Sequence, residues 1–570
     1  MFLASQKQLY NCLAIKTGNY FPRAHFMLRI LLPVLVCLSL SPSMAIGNTS
    51  EADPVRTELL KRQATLQKDK SLSIGGSRLY AANFIFHLYV LNDYKLLWNR
   101  ENTKALIASI QNITADGLTP DDYLPGDLAD KIKASENSAL PVNEQIDLDL
   151  LLSESFVRAV YNLLIGKVDP ESLDPDFNFS RSLDRDGKAT LLLEKISNSE
   201  IEQAFDWARP KFPHYQWLRN GLEKYRTIQT AGGWQPIPGG TTLKPGQSDA
   251  RVSLLRNRLM ITGDYSGKHP APDLFDADLT SAVERFQQRH GLEVDGLVGR
   301  NTLDALNKTV EQRIDQIRVA LERQRWYSHE ATDEFFVVDI AGFRAYWFRD
   351  GKAIWNAAVQ VGKKFTHTPV FKDSIRYLEF NPTWTIPPGI LQRIVLPNLK
   401  EDPDYLEKKG YLLLQQDGTP VDPKNVDWPS MSYIPYMVRQ PAGEDNALGL
   451  VKFMFPNKHL VYLHDTNHKE LFDERQRTFS SGCVRINNAL ELAEKLLARQ
   501  EGWDRERIDS ILASGETTRV NLEKPLRIII AYNTVAAHGD IIHFKPDIYN
   551  RDPAVLQRLN GDFKPRKSDR

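Results

Sequence analysis

Cysteine is nearly missing from this chain: 570 residues contain three, Cys12, Cys37 and Cys483. The first two lie in a segment that reads as targeting sequence, so one thiol remains for the folded part and no disulfide framework can form. An excess of charge of one sign is also lacking, since 72 Lys plus Arg face 72 Asp plus Glu. Without surplus cations to neutralise a phosphate backbone, nucleic acid is disfavoured as a partner. Glycine and proline, 32 of each, are too few for a collagen-like or low-complexity polymer. Long hydrophobic runs are absent as well, because the apolar stretch Ile30 to Leu40 falls short of the ~20 residues of a membrane span.

That stretch has another reading. It follows Met27-Leu28-Arg29 and precedes Ser41-Pro42-Ser43-Met44-Ala45, the order of an export signal over residues 1–45 with cleavage after Ala45. Either translation starts at Met27 or the n-region is long, and an uncleaved membrane anchor is the alternative to cleavage. An exported protein with a lone thiol, Cys483, needs a reason for keeping it. Burial as a small hydrophobe is one reason and nucleophilic chemistry is the other.

At ~150 residues per domain the length predicts about four units. Residues 46–235 read as a helical scaffold domain, with Ile146, Leu150, Phe156, Val160 and Leu163 at helical spacing before a stop at Gly166. Ser197 and Glu200 have the spacing of a capping box. The Gly- and Pro-rich run 232–240 marks a boundary. Behind it, residues 248–308 form a small helical module, and a charged helix from Val310 to Trp326 leads into 330–546, where the period changes to two. Strands are predicted at Glu334 to Phe348, Ala353 to Val361, Ile375 to Phe380, His459 to Leu463, Leu526 to Ala531 and Ile541 to Phe544, with a hairpin turn at Asp350-Gly351. A Pro- and Asp-rich insertion at about 398–446 is too long for an ordinary loop and reads as a cap over a site. Residues 547–570 read as a polar tail. The fold class is multidomain α+β.

Chemistry converges near residue 480. Alternation puts Tyr462 and His464 on one face of a strand, and Ser480-Ser481-Gly482-Cys483-Val484-Arg485 follows. Asn488 and Glu491 then have the spacing of a helix cap. A nucleophilic thiol needs a base, a glycine that admits substrate to the backbone, and donors for the oxyanion. His464, Gly482 and the backbone N–H groups of Gly482 and Cys483 answer those needs. Arg485 either stabilises a thiolate, holds a substrate carboxylate, or forms a salt bridge to Asp465. His464 and His468 are four apart but lack a third ligand and helical context, so no metal or other cofactor is expected.

Phe275-Asp276, Phe286-Gln287, His290-Gly291-Leu292, Asp295-Gly296 and Val298-Gly299 resemble a peptidoglycan-binding domain. His464-Asp465-Thr466, Phe479-Ser480-Ser481-Gly482-Cys483-Val484-Arg485, Thr368-Pro369-Val370 and Asn381 to Pro388 resemble the L,D-transpeptidase catalytic domain. The arrangement is similar to the large periplasmic L,D-transpeptidases of Gram-negative bacteria. The resemblance implies that Cys483 attacks the diaminopimelate carbonyl of a tetrapeptide stem, that His464 moves the protons, and that three-to-three peptidoglycan cross-links result. It implies Trp384, Tyr462, Ser481 and Arg485 as substrate contacts, stem peptides as donor and acceptor, and other cell-wall synthases as partners. Water or a lipoprotein lysine as acceptor, and a non-catalytic wall-binding scaffold, are the alternatives.

Overall fold

The computed structural model describes residues 53–564 and 566, apart from 125, 138, 180–184 and 268–270. The export signal expected over 1–45 therefore lies outside the described residues. The helix Val142–Ile165 is the axis of the N-terminal region, with Leu150, Phe156, Val160 and Leu163 fully buried. Helices Pro54–Asp69, Ala82–Leu91, Arg100–Asn112, Arg185–Ser197 and Ile201–Ala208 belong to the same region, and strands β1 (Ser73–Ile74) and β2 (Ser77–Arg78) form a small hairpin beside them. The axial helix stops at Gly166, whose φ of +94° suits glycine. The Ser197 capping box is not formed. Ser197 closes one helix, Ser199 turns the chain at φ +58°, and Glu200 opens the next helix without a side-chain cap. That helix is held instead by its buried face of Ile201, Phe205 and Ala208.

The next helical unit consists of Arg251–Thr262, Ala277–Arg289 and Arg300–Leu306 around buried Leu255, Leu259, Phe275, Leu279, Val283 and Phe286. Asp276 caps its second helix by accepting from the Leu279 N–H at 2.8 Å. The helix Val310–Tyr327 then runs back along Pro213–Thr230, burying Ile317 and Leu321 against Leu218 and Leu222.

The β-rich part contains β3 (Glu334–Asp339), β4 (Arg344–Arg349), β5 (Lys352–Gly362), β6 (Phe371–Phe380) and β7 (Trp384–Thr385). It continues through β8 (Leu412–Leu414), β9 (Met437–Gln440), β10 (Val451–Met454), β11 (Leu463–His464), β12 (Thr478–Ser480) and β13 (Val484–Ile486). The last strands are β14 (Thr518–Ala531), β15 (Val535–His538) and β16 (Ile541–Phe544). Nine of these strands form one sheet in the order β12-β5-β13-β11-β10-β6-β14-β3-β4, and β4 also pairs with β5, so the sheet closes on itself. The run Glu334 to Phe348 is two strands rather than one, because Phe343 takes φ +51° and reverses the chain between β3 and β4. The predicted strand His459 to Leu463 shrinks to β11, since Asn457 holds the residues before it in a turn.

One expectation gains detail and one needs correction. The insertion is a folded unit: β7, β9 and β8 make their own antiparallel sheet over buried Ile386, Leu399, Trp428 and Val438. Its polar sequence conceals a small core because few apolar residues, widely spaced, suffice to fill it. The C-terminal segment is no loose polar tail. It holds the helix Asp552–Asn560, which buries Val555 and Leu559, and Lys167 Nζ donates to the Leu559 carbonyl at 2.8 Å.

Gly166 also makes a close approach, for a Cβ there would meet Glu322 Oε1 at 2.6 Å and the Trp326 ring at 2.8 Å. Glu322 is fully buried, pairs with Arg325 at 2.6 Å and accepts from the Val168 N–H at 2.7 Å. Gly166→Ala should therefore lower the unfolding free energy by about 2–4 kcal/mol, through backbone strain and a disturbed buried ion pair. Urea unfolding checks this, and Gly418→Ala, with nothing within 4 Å of its added Cβ, is the control for strain alone.

Candidate active site

β11 is paired on both sides. It runs antiparallel to β10, with Lys452 opposite His464, and parallel to β13, with Leu463 opposite Val484 and His464 opposite Arg485. Leu463 and Val484 are fully buried in the barrel core. Side chains alternate along a strand, so Tyr462, His464, Cys483 and Arg485 share the other face. The Tyr462 and His464 rings meet edge to face with centroids 5.6 Å apart.

The turn carrying the thiol is bolted from two sides. Ser480 Oγ accepts from the Gly482 N–H at 3.1 Å and donates to the Cys483 carbonyl at 2.5 Å. Thr368 Oγ1 donates to the Gly482 carbonyl and accepts from the Gly362 N–H, each at 2.9 Å. Gly482 itself stands at φ +126°, a conformation that side chains disfavour. The oxyanion assignment is accordingly corrected: the Gly482 N–H is already used by Ser480, whereas the Cys483 N–H has no partner among the described residues. Ser481 is exposed.

Cys483 Sγ lies 3.8 Å from the Leu460 carbonyl oxygen. Burial pushes the thiol above its ordinary range, opposed by the Tyr462 backbone and hydroxyl and then by the charges of Lys452 and Arg485. The resting sulfur is a neutral thiol. His464 is 4% exposed, and burial together with the Arg485 charge holds its imidazole down to about 3, so it is neutral near pH 7. Its Nδ1 donates to the Asp465 carbonyl, which leaves the Nε2 lone pair to accept a proton. Among the described residues no hydrogen bond joins Sγ to the imidazole. The two groups stand on one face, each held by other partners.

Arg485 forms no salt bridge to Asp465. Its Nη1 donates to Gln360 Oε1 at 3.2 Å, while its buried Nε has no partner. The Asp465 carboxylate instead takes Lys469 and, at 3.0 Å, the Leu450 N–H. A guanidinium without a carboxylate partner beside a nucleophile is suited to a substrate carboxylate. Trp384 belongs to the insertion's sheet, its ring 6.3 Å from that of Tyr411. Asn488 opens the helix Ala489–Leu497 at φ +54° without a side-chain cap, so the Asn488–Glu491 capping pair is absent. His468 faces Glu470 at 3.1 Å, and the described residues contain no group of three or more His, Cys, Asp or Glu placed to hold a metal. Sequence reasoning missed Leu460, Gln360 and the clamping role of Thr368. The Pro456-Asn457 pair, a local turn signal, could have led to Leu460.

A cavity of about 1200 Å³ lies elsewhere, between the helix Pro213–Thr230, residues 288–293, the β3–β4 edge and the β15–β16 hairpin. Its lining lacks Cys483 and His464, and the site is assigned from the thiol's surroundings rather than from volume.

Two pH effects follow. Alkylation of Cys483 by iodoacetamide should accelerate with pH to a midpoint above that of free cysteine, and Arg485→Gln should move the midpoint higher by removing a charge that favours thiolate. His464 falls from an ordinary 6.5 to about 3, so the unfolded chain binds its proton first and stability from this group is lost as pH drops from 6.5 toward 3. His464→Gln should flatten the decline of the thermal midpoint across that window, a change that calorimetry reads directly.

Residues 333–520 match the YkuD family, described as the L,D-transpeptidase catalytic domain, residues 248–306 a peptidoglycan binding domain, and residues 84–222 a scaffold domain. A Haemophilus influenzae protein provisionally named an L,D-transpeptidase is 33% identical over 319 residues, 54% of this chain and 64% of that relative. The chain thus spans a little under two thirds of that relative's length. A stretch of 77 residues is 40% identical to the N-acetylmuramoyl-L-alanine amidase CwlM of Mycobacterium tuberculosis, covering 12% of this chain and 19% of that protein. A solved L,D-transpeptidase structure from Stackebrandtia nassauensis aligns over 52% of this chain and 98% of its own at 13% identity, with a TM-score of 0.19 that carries no argument. The chain carries a YkuD L,D-transpeptidase catalytic domain joined to a peptidoglycan-binding domain and a helical scaffold domain.

Proposed function

We propose that this protein is a cysteine-dependent L,D-transpeptidase that acts in the periplasm on peptidoglycan stem peptides. The observation that carries the reading is Cys483, the one cysteine among the described residues, in the bolted turn of the catalytic domain, on the same sheet face as a neutral histidine. Cys483 Sγ attacks the carbonyl of the diaminopimelate L-centre in a tetrapeptide stem. His464 Nε2 takes the thiol proton and delivers it to the departing D-Ala amine as the amide C–N bond breaks, leaving a thioester. The side-chain amine of a second diaminopimelate then attacks the thioester, loses its proton to His464 and displaces the thiol, giving a three-to-three cross-link. Because both groups rest neutral, proton transfer accompanies attack and no ion pair has to form beforehand. The Cys483 N–H faces the developing oxyanion, and Arg485 holds a stem carboxylate. The peptidoglycan-binding domain and other wall synthases bring the reaction to the cell wall.

Incubating the full chain with a diaminopimelate tetrapeptide muropeptide should release D-Ala and yield dimers, both visible by mass spectrometry. Cys483→Ala should abolish both and leave the thermal midpoint nearly unchanged. Dimers from that variant would refute the mechanism. Hydrolysed monomers alone from the wild type would make water the acceptor.

A further inference from the structure

The thiol's neighbour Leu460 is held in an unusual way. It is a bulky residue at φ +54°, its side chain is 80% exposed, and its carbonyl faces Sγ at 3.8 Å. Left-handed backbone at such a residue costs about 1–2 kcal/mol and persists only where neighbours impose it. Asn457 imposes part of it. Its Oδ1 accepts from the N–H groups of His459 (3.0 Å) and Val461 (3.2 Å), and its Nδ2 donates to the carbonyls of Phe455 (2.6 Å) and Val461 (2.7 Å). This one amide uses both ends to close the turn 457–461, which leads directly into Tyr462.

The outer side of the turn is braced from another domain. Asp176, in the N-terminal region, lies 3.5 Å from Lys458 Nζ and 3.6 Å from His459 Nδ1. The segment carrying Asp176 is itself pinned. Phe177 and Phe179 are buried, with ring centroids 5.8 Å from Trp326 and 5.9 Å from Tyr327 respectively. Between them Asn178 mimics a strand edge on β6, its Nδ2 donating to the Lys372 carbonyl at 2.9 Å and its Oδ1 accepting from the Lys372 N–H at 2.8 Å. The neighbouring β6 residue, Phe371, supports the His459 ring with centroids 4.8 Å apart. Asp174 adds an ion pair to Arg551 at 3.3 Å. Scaffold segment, first residues of β6 and turn 457–461 therefore form a continuous chain of contacts that ends at the thiol.

We infer that Asp176 is a positioning residue for Cys483: the helical scaffold domain, through Asp176, holds the turn 457–461 that aims the Leu460 carbonyl and the Tyr462 backbone at Sγ. The inference rests on the thiol being the nucleophile. A partly exposed ion pair of this kind adds little to global stability, which separates its effect on the thiol from an effect on folding.

The test uses the full chain with Asp176→Ala, Asp176→Glu, His459→Gln and the double variant Asp176→Ala/His459→Gln. Two rates are measured, D-Ala release at saturating tetrapeptide muropeptide and alkylation of Cys483 by iodoacetamide. Misaiming a reacting atom by a fraction of an ångström predicts a loss of about five- to tenfold in both rates for Asp176→Ala. Donor KM and the thermal midpoint should be unchanged. Asp176→Glu should recover most of the loss, and the double variant should be no slower than the slower single one, because both substitutions interrupt one path. Unchanged rates in Asp176→Ala, multiplicative losses in the double variant, or a fall in thermal midpoint parallel to the rates would overturn the inference. A wild type that alkylates but releases no D-Ala would refute the proposed reaction instead, and the alkylation arm would still decide the brace.

Discussion

The site depends on one short pairing, β11 against β13. Two residues on each strand, Leu463 with Val484 and His464 with Arg485, join segments that the chain separates by a long excursion. Parallel strands cannot be linked by a tight turn, so a crossover must intervene, and here it contains the short helix Lys469–Phe472 and β12. The pairing is stable because its inner side chains are fully buried in the barrel core. A one-residue slip of either strand would turn its own pair inward, Tyr462 with His464 or Cys483 with Arg485, and dismantle the site.

Burial on that face sets the resting chemistry. A thiol pushed up and an imidazole pushed down both rest neutral near pH 7. The cations nearby, Lys452 and Arg485, favour thiolate and disfavour imidazolium at the same time. Lys452 is offset by Glu379 at 3.4 Å, while Arg485 meets the neutral Gln360. Arg485 thus contributes a charge without a carboxylate counterpart among the described residues.

The scaffold domain is joined to the rest through buried polar contacts as well as apolar packing. Arg325 lies fully buried with Glu322, and its Nη1 donates to the Tyr215 hydroxyl at 2.9 Å and the Asp116 carbonyl at 2.8 Å. Buried charges are costly unless fully paired, so such a cluster fixes one relative placement of the helices rather than adding much net stability. The placement matters at the far end of Val310–Tyr327, where Trp326 and Tyr327 anchor Phe177 and Phe179. Nothing between residues 170 and 180 has catalytic spacing, yet Asp176 reaches the turn beside the Cys483 thiol.

The amino-acid sequence alone determined the α+β class, the helical character of the N-terminal region and the small module, and it singled out the residues proposed to bear the chemistry. Those properties are local: periodicity records which face of an element is buried, and a lone Cys beside Gly and near a strand-end His needs no tertiary contact to be noticed. Only the tertiary structure decided which partners each group has. It gave the Gly482 N–H to Ser480, paired Arg485 with Gln360 instead of Asp465, and drew Trp384 into a folded insertion. It also decided the charge states, for a thiol read beside a helix start and an arginine suggests activation, whereas desolvation by surroundings distant in sequence pushes it the other way. Burial and hydrogen bonding between segments far apart in the chain leave no period or motif behind, which is why Asp176, nearly three hundred residues before the turn it meets, and Leu460, 23 residues before the thiol, became visible only when the chain was folded.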